Sequence, residues 1–357
     1  MTASPSIIPH SRPTVGQEEV QAVTEAVQSG QIAQGPLVAE FERGMAALIG
    51  VTGGVAVSSG TAGLELALRV LDIGSGDEVI LPSYVCAALW LAVTRVGARP
   101  RVVDIETTAY AIDPDAAAKA VTARTKAIIV PHLFGLPADL TRLEALGVPL
   151  IEDCAQTLTA TEQGRQVGSV GVLTVCSFYA TKLLCTGEGG MLLSNDPALL
   201  ERARRLKEYD ETLKLDPASF NYKMTELQAA MGLSQLKRLR AFLDRRATIA
   251  ITYQSGLASS ELDLPVIPEG RSHIFYRYVV KLRGTARSVD DLIAQLERQG
   301  VQCRRPVFRA LHQYLEVTDG YPATDKTGDR ALSLPIYPSL TDEDVLRTIA
   351  AVREALA

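Results

Sequence analysis

Three short segments carry residue types that can build a buried reactive site. Lys182 lies in SFYATKLLCTGEGGM, residues 177–191, between an apolar run and a Gly-rich turn, where an exposed surface lysine would be out of place. Asp153 follows the apolar start of IEDCAQ, residues 151–156, and open α/β sheets bind ligands at the carboxyl ends of their strands. SSGTAG, residues 58–63, opens a helical pattern, so its free backbone amides would face an anion.

A primary amine, a carboxylate and an anion-binding turn are what pyridoxal phosphate (PLP) requires of a protein. We predict that Lys182 holds PLP as a Schiff base. Asp153, ionised beside the pyridine nitrogen, would keep this nitrogen protonated so that the ring accepts electrons. Both residues are predicted to be catalytic. The residues predicted to contact the cofactor are Ser59, Gly60, Thr61, Ala62, Asp153, Gln156, Ser177 and Lys182.

Each segment also has an ordinary structural interpretation. SSGTAG can be a Ser/Thr N-cap, and Asp153 can cap the turn that follows it. Gln156 can be a polar loop residue instead of a donor to the phenolic oxygen of the ring. Glu152 should point away from Asp153, because neighbouring side chains of a strand alternate. The segments together favour the cofactor site over these separate interpretations.

The composition argues against several other classes of function. A net charge of −5 gives no electrostatic footprint for nucleic acid. The four histidines and five cysteines form no HExxH or CxxC pattern, and no GxGxxG follows a strand, so we predict no metal and no dinucleotide. No apolar run approaches the roughly 20 residues of a membrane span, and the start, MTASPSIIPHSRP, lacks a basic flank followed by an apolar stretch. We expect a cytoplasmic protein with reduced thiols and no membrane partner.

Alternating strand and helix patterns surround these segments. Candidate strands are residues 79–81, 101–104, 127–130, 150–152, 173–178 and 191–194. Several are continuous apolar runs, which predicts an α/β fold with a mainly parallel central sheet and helices on both faces. Between two of the apolar runs, residues 61–71 form an amphipathic helix with Glu65 and Arg69 spaced i,i+4 on its surface.

A long charged helix over residues 225–257 separates the two parts of the chain. After it come one alternating strand at 276–282, a helix at 289–299 and a last helix after Thr341. We therefore predict that residues 1–235 form an N-terminal segment and a large PLP-binding domain. Residues 236–357 would form a small C-terminal α+β domain.

The ordered motifs resemble those of one known family nearly end to end. They are SRPTVGQEEV, SSGTAG, GDEVILPSYV, TKAIIVPHLFG, IEDCAQ, SFYATKLLCTGEGGM, FNYKMTELQAA and LSLPIYPSLTDED. The chain resembles the DegT/StrS sugar aminotransferases, which belong to fold type I of the PLP enzymes. The resemblance implies the same roles for Lys182, Asp153 and the other cofactor contacts. It also implies a homodimer with shared active sites, in which Asn221 of FNYKMTELQAA reaches the cofactor phosphate of the partner subunit.

Some positions depart from the family pattern. Cys86 stands where an aromatic ring often stacks on the cofactor, and Tyr179 and Leu183 replace the common His and Asn around the lysine. Tyr84 or Trp90 can compensate for the missing ring, although a tryptophan on an apolar helix is more often part of the core. Because of these departures, the family pattern does not identify the substrate.

The retained Lys182 favours transamination, because the dehydratase branch of the family carries histidine at this position. The resemblance implies that glutamate or glutamine donates the amine to a keto-sugar, which we expect to be nucleotide-linked. Arg304, Arg305 and His312 can hold its phosphates, or they can be ordinary solvated residues. The alternatives are a cyclitol or another small ketone as acceptor, and a PLP-binding sensor or structural dimer without turnover.

Overall fold

Twelve helices and twelve strands form the described part of the chain. The computed structural model describes residues 7–209, 216–258, 260–284 and 287–357, so the first six residues of the opening segment lie outside it. The helices are α1 Gln17–Gln28, α2 Pro36–Ile49, α3 Gly60–Val70, α4 Ala88–Arg95, α5 Pro114–Ala120, α6 Leu140–Glu144, α7 Pro197–Leu206, α8 Glu226–Leu257, α9 Val289–Arg298, α10 Leu311–Tyr314, α11 Pro322–Arg330 and α12 Asp342–Leu356. The strands are β1 Gly53–Val57, β2 Glu78–Pro82, β3 Arg99–Val103, β4 Thr125–Pro131, β5 Leu150–Asp153, β6 Thr161–Glu162, β7 Arg165–Gln166, β8 Leu173–Ser177, β9 Gly190–Ser194, β10 Leu262–Asp263, β11 Tyr278–Leu282 and β12 Ala331–Leu334.

The central sheet contains seven strands in the order β1, β9, β8, β5, β4, β2, β3. The neighbours from β8 to β3 pair in parallel. β9 runs antiparallel to both of its neighbours. Each predicted strand overlaps an observed one, which confirms the mainly parallel central sheet.

Alternating side chains of the strands feed two separate cores, one on each face of the sheet. Val57 and Val175 belong to one core, together with residues of α3, α4 and α7. Ala56 and Cys176 belong to the other, together with residues of α2, α5, α6 and α8. Because both faces are covered by helices, the strands are apolar on both sides. The helices on both faces are therefore as predicted.

The C-terminal part has its own sheet and core. β10, β11 and β12 form an antiparallel sheet, and the third core joins this sheet to α9, α12 and the second half of α8. α8 begins at the N-cap Thr225, whose side chain and that of Gln228 form a capping box. The helix runs without a break through residue 236. The division of the chain into two domains at this residue stays a prediction.

One surface prediction was wrong. Glu65 and Arg69 do form an i,i+4 ion pair at 2.7 Å, but Glu65 is only 6% exposed. It also accepts a hydrogen bond from the Tyr222 hydroxyl at 2.8 Å and pairs with Arg95 at 3.0 Å. α3 is buried on nearly every side, so its charged stripe faces other elements. Among the described residues, no helix has the length and apolar character needed to cross a bilayer.

Candidate active site

The first turn of α3 meets the end of β8. Ser59 is the N-cap of α3, and its Oγ accepts the N–H of Ala62 at 3.1 Å. A Cβ at Gly60 would lie 2.8 Å from Cβ of Ser177, so only glycine lets the two elements approach this closely. Thr61 is exposed. The N–H groups of a first helical turn lack intrahelical partners, and the structure gathers them beside the Ser177 hydroxyl, as a phosphate site requires.

Asp153 lies at the carboxyl end of β5 and is buried. Within the described ranges its side chain makes one hydrogen bond, in which Oδ1 accepts the N–H of Ala155 at 3.0 Å. Burial raises the pKa of this carboxyl, while the Ala155 N–H and the nearby charge of Lys182 oppose the rise. A buried carboxylate with one donor suits a cationic partner such as a protonated ring nitrogen.

Glu152 points to the opposite side of β5, as the alternation predicted. Oε1 accepts the N–H groups of Val170 and Gly171 at 2.9 and 2.6 Å. Oε2 accepts the N–H of Gly168 at 2.6 Å and is 2.9 Å from Nε2 of His132. Although burial acts to raise the pKa of Glu152, His132 and the N–H groups of this segment, the 168–171 loop, hold it below its ordinary value. Glu152 therefore fixes this loop and does not face the ligand side.

His132, Glu152 and Cys154 are close enough to suggest a metal site. Their possible ligand atoms lie within 4.8 Å of one another, and all three residues are buried. However, Nδ1 of His132 accepts the N–H of Ala138 at 3.1 Å, and both carboxylate oxygens of Glu152 accept hydrogen bonds. Burial raises the pKa of the Cys154 thiol well above its ordinary value, which disfavours the thiolate that a metal binds. His132 and Glu152 are therefore engaged in hydrogen bonds, and Cys154 is a buried thiol beside them.

Gln156 is oriented by a backbone group. Its Oε1 accepts the N–H of Phe134 at 3.0 Å, which leaves the amide NH₂ as the end available to a ligand. Phe134 itself has a φ of 59°, in the left-handed region that is uncommon for a bulky residue. The geometry fits the predicted donation to a phenolic oxygen.

Lys182 lies in the turn that follows β8. Its backbone N–H donates to the carbonyl of Tyr179 at 2.8 Å, and its half-buried side chain places Nζ 5.7 Å from the ring centroid of Tyr276. The charge of Lys182 acts on the carboxyl of Asp153 and on the thiol of Cys86. Asp153 ends β5, and Lys182 follows the neighbouring parallel strand β8, so both residues lie at the same edge of the sheet. We refer to the surface around Lys182, Asp153 and Cys86 as the cleft.

Cys86 is the accessible thiol of this cleft. It is exposed to solvent, yet the cleft walls desolvate the thiol and raise its pKa, and Asp153 adds to this effect. Tyr84 is buried in a cluster with Tyr110 and Phe134, with ring centroids 6.4 Å from each. Trp90 packs against the same core, as the structural interpretation of a tryptophan expects.

Asn221 lines a different cavity from Lys182. It is exposed, and its Oδ1 accepts the N–H of Lys223 at 3.2 Å. It lines a cavity of about 520 Å³ together with Gln34, Glu208 and Thr225. Lys182 does not line this cavity. Within one chain the structure therefore does not bring Asn221 to the lysine.

The basic residues considered for a nucleotide differ in their availability. His312 is buried between the Ser83 hydroxyl, 2.6 Å from Nδ1, and the Asp325 carboxylate, 3.0 Å from Nε2. Arg305 pairs with an aspartate of α9 at 2.9 Å. Arg304 is exposed, and no ion pair to it is found among the described residues. Two of the three side chains are thus engaged within the chain.

Three further residues near Lys182 were not identified from the sequence. Tyr276 is buried beside Lys182, and the guanidinium groups of Arg246 and Arg277 lie on the same ring. Tyr276 and Arg277 precede β11 in a run that showed only strand alternation, and Arg246 is one of several arginines of α8. Their meeting depends on the tertiary contact of distant segments, so no local spacing indicates it.

Comparisons with known proteins agree with this geometry. A model of the DegT/DnrJ/EryC1/StrS aminotransferase family matches residues 13–353. The spore coat polysaccharide biosynthesis protein SpsC of Bacillus subtilis (strain 168) is 36% identical to this chain over 379 residues, which cover 97% of this chain and 96% of SpsC.

Solved structures share the whole fold. The aminotransferase TlmJ of Streptoalloteichus hindustanus superimposes with a TM-score of 0.92 and 34% identity, covering 98% of this chain and 99% of TlmJ. The PLP form of the Streptococcus pneumoniae protein Spr1654 has a TM-score of 0.91 and 28% identity, with 98% of each chain covered. Together with the sheet topology, these structures confirm the predicted fold type I architecture.

Proposed function

This chain belongs to the DegT/DnrJ/EryC1/StrS aminotransferase family, and we propose that it moves an amino group from glutamate or glutamine to a nucleotide-linked keto-sugar. The chain is a PLP-dependent transaminase, in agreement with the resemblance seen in the sequence. A sugar acceptor is supported by SpsC, which is described as a polysaccharide biosynthesis protein. The proposal rests above all on Lys182, which follows the strand next to the one that ends at the buried carboxylate of Asp153.

The residues of the cleft fit PLP. Among the described residues, one carboxylate oxygen of Asp153 has no donor. Gln156 keeps its NH₂ group after its oxygen has accepted a backbone N–H. Gly60 leaves a space beside Ser177 that a side chain would fill. An acceptor, a donor, an anion-binding turn and an amine are thus available together.

PLP, when bound, withdraws electrons from the carbon that bears the transferred amine. Asp153 would hold a proton at the pyridine nitrogen, since its buried carboxylate is stabilised by a positive neighbour. Gln156 would donate to the phenolic oxygen, and the first turn of α3 with Ser177 would hold the phosphate. Lys182 would bind the cofactor through its amine and, once released, move a proton at the amine-bearing carbon of the donor.

The proposal includes a homodimer in which Asn221 serves the partner subunit. Support comes from its position, because Asn221 lines a cavity from which Lys182 is absent. Its neighbour Phe220 is 60% exposed, and a partner surface would cover this ring. A cytoplasmic location is supported by the cysteines, all five of which are free.

Reduction with borohydride tests the role of Lys182. We expect the label to appear on Lys182 after peptide mapping, and Lys182→Ala to lose both cofactor absorbance and turnover. Lys119→Ala, at an exposed position of α5, is the matched control and should behave as wild type. Label on another lysine, or full turnover by Lys182→Ala, would overturn the assignment.

The amino donor and the acceptor are tested separately. The yellow PLP-loaded protein should bleach with L-glutamate or L-glutamine, whereas a stable colour with every donor would support a sensor. Turnover should then require a keto-sugar attached to a nucleotide. Equal turnover with the free sugar, or activity only with a cyclitol ketone, would contradict the proposed acceptor.

Mixed dimers test the shared site. Lys182→Ala and Asn221→Asp chains with different tags are co-expressed, and the mixed dimers are isolated. One site then combines an intact Lys182 with an intact Asn221 from the other chain, so we expect activity to return. If Asn221 served its own chain, each site would keep one defect and no activity would return, since an aspartate would repel the phosphate. A monomer in sedimentation would also refute the shared site.

A further inference from the structure

A small cationic cavity lies beside Lys182, on the side of the C-terminal sheet. Its walls include Lys182, Arg12, Arg246, Arg277, His10 and Tyr276. Its volume is about 20 Å³, which exceeds the roughly 10–15 Å³ that one water molecule needs. No aspartate or glutamate is found among the described residues that line it. We refer to it as the arginine cavity.

The positive charges converge on the ring of Tyr276. Nζ of Lys182 lies 5.7 Å from the ring centroid, and the guanidinium carbons of Arg246 and Arg277 each lie 5.8 Å from it. The face of an aromatic ring attracts cations, but three like charges in a partly buried site still repel one another. Within the described ranges none of the three side chains forms an ion pair. An anion in the cavity would relieve this repulsion.

Hydrogen-bond donors in the walls also lack acceptors. Arg246 is 4% exposed, and its Nη1 donates to the carbonyls of Phe275, Tyr276 and Ile336 at 3.2, 2.9 and 3.1 Å. Its Nε, however, is buried without a partner among the described residues, and so is the Nε of Arg277. Buried donors without acceptors are rare and costly. The two guanidinium groups therefore have N–H donors that the described part of the chain does not use.

The positive charges around the arginine cavity also shift the pKa values of His10 and Tyr276. Burial, together with the charges of Arg277 and Arg304, lowers the pKa of His10 to about 3. Burial alone would raise the pKa of the Tyr276 phenol, yet Lys182, Arg277 and Arg246 bring it below its ordinary value. His10 is therefore neutral at physiological pH and adds no charge. The cavity favours negative groups over positive ones.

We propose that the arginine cavity binds the α-carboxylate of the amino donor, an assignment that rests on the proposed aminotransferase function. In an α-amino acid, the carboxylate is bonded to the carbon that carries the amine. The donor amine must reach the position that the Lys182 amine occupies, so the carboxylate must lie beside Lys182. Guanidinium groups match the planar carboxylate with paired N–H donors.

The size and place of the cavity favour a carboxylate over the phosphates of the acceptor. A cavity of about 20 Å³ accepts the oxygen atoms of one carboxylate but not a nucleoside diphosphate. The phosphates of a nucleotide-linked sugar are attached several bonds away from the keto carbon that reacts. They therefore extend away from Lys182, whereas the donor carboxylate does not.

Arg277→Met is the most direct test, because within the described residues the Arg277 side chain makes no hydrogen bond that the fold needs. The half-reaction of the PLP-loaded enzyme with an amino donor is followed by absorbance and requires no acceptor. We expect the half-saturating L-glutamate concentration to rise about 10- to 100-fold, the scale of one charge-assisted hydrogen bond. 4-Aminobutanoate has no α-carboxylate, so its reaction should change little. Arg240→Met, at an exposed position of α8 that pairs with Asp244, is the matched control.

Binding of an unreactive anion provides a readout that is independent of turnover. Isothermal titration calorimetry of the PLP-loaded enzyme measures the dissociation constant for glutarate. We expect this constant to be at least about tenfold higher in Arg277→Met than in wild type. Arg277→Lys should have an intermediate value. Unchanged glutarate binding together with an unchanged glutamate dependence would overturn the proposal. Weakened binding of uridine diphosphate with unchanged glutarate binding would instead assign the cavity to phosphates. If wild type reacts with no amino acid, the proposed function fails, and the glutarate titration still decides whether the cavity binds carboxylates.

Discussion

Glu152 and Asp153 are neighbours in β5, and we expect them to respond differently to the loss of charge. Oε1 of Glu152 accepts two backbone N–H groups of the 168–171 loop. Oε2 accepts a third N–H of this loop and the Nε2–H of His132. The Glu152→Gln variant replaces one of these oxygens by an NH₂ group that faces two donors. We therefore expect this substitution to lower the stability of the fold.

The structure gives the size of this effect. His132 cannot compensate by moving its proton to Nδ1, because Nδ1 already accepts the N–H of Ala138. Two hydrogen bonds to a charged acceptor are lost in Glu152→Gln whichever way the new side-chain amide turns, and each contributes about 1.5–3 kcal/mol. We expect the free energy of unfolding to fall by about 3–6 kcal/mol. This is a large part of the roughly 5–15 kcal/mol that stabilises a folded protein.

Urea denaturation followed by circular dichroism measures this loss. Glu144→Gln is the matched control, because Glu144 forms a surface ion pair with Arg165 at 2.6 Å. Exposed ion pairs contribute about 0–1 kcal/mol, so the control should stay within that range. A change of less than about 1 kcal/mol in Glu152→Gln would refute the reasoning.

The pH dependence gives the same prediction a second test. His132 and the loop N–H groups hold the pKa of Glu152 below its ordinary value of 4.5 despite its burial. A carboxyl whose pKa is lower in the folded state stabilises the fold above its unfolded pKa, and this stabilisation is lost as the pH falls through the folded pKa. The difference between wild type and Glu152→Gln should therefore persist from neutral pH to about the ordinary pKa and shrink below it. A difference that grows on acidification would contradict this sign.

Two other substitutions should act on the cofactor site. Asp153→Asn keeps the acceptor for the Ala155 N–H but does not hold a proton on the pyridine nitrogen, so we expect PLP to bind while the donor half-reaction slows by about 100-fold or more. Stopped-flow absorbance measures this, and a rate near wild type would contradict the role. Gly60→Ala places a methyl group 2.8 Å from Cβ of Ser177, and such overpacking costs about 1–3 kcal/mol. We expect the dissociation constant of PLP, measured by fluorescence titration, to rise about tenfold or more. Gly328→Ala is its control, because the added methyl group meets no atom of the described residues within 4 Å. Equal PLP affinities of Gly60→Ala and wild type would argue against the close approach.

Strand periodicity was sufficient to assign opposite sides to Glu152 and Asp153. The sequence alternation places them on different faces, and the structure places Asp153 beside Ala155 and Glu152 beside His132. It was not sufficient to identify the 168–171 loop as the partner of Glu152. This loop lies beyond β6 and β7, and its approach depends on how the chain returns to β8.

The wrong prediction for Glu65 has a related cause. Helical spacing identified its i,i+4 partner Arg69 correctly, because that contact is local. The other partners, Arg95 and Tyr222, lie 30 and 157 positions away in the sequence. A helix that packs at the centre of the molecule can keep charged residues inside when such distant partners satisfy them. The hydrophobic pattern of α3 alone does not contain this information.

The two sides of Lys182 carry opposite charge, and this separates cofactor from substrate. Asp153 supplies the negative side, where the protonated ring nitrogen would lie. Arg246 and Arg277 supply the positive side, where the donor carboxylate would lie. Because one carboxylate does not neutralise several cations, the bound donor stays in a positive potential, which favours the neutral form of its amine. Removing one cation in Arg277→Met should therefore raise the pKa of the bound amine. The rate of the donor half-reaction, measured against pH, should then begin to fall at a higher pH on the acidic side of its profile. An unchanged profile would show that the arginine cavity does not act on the amine.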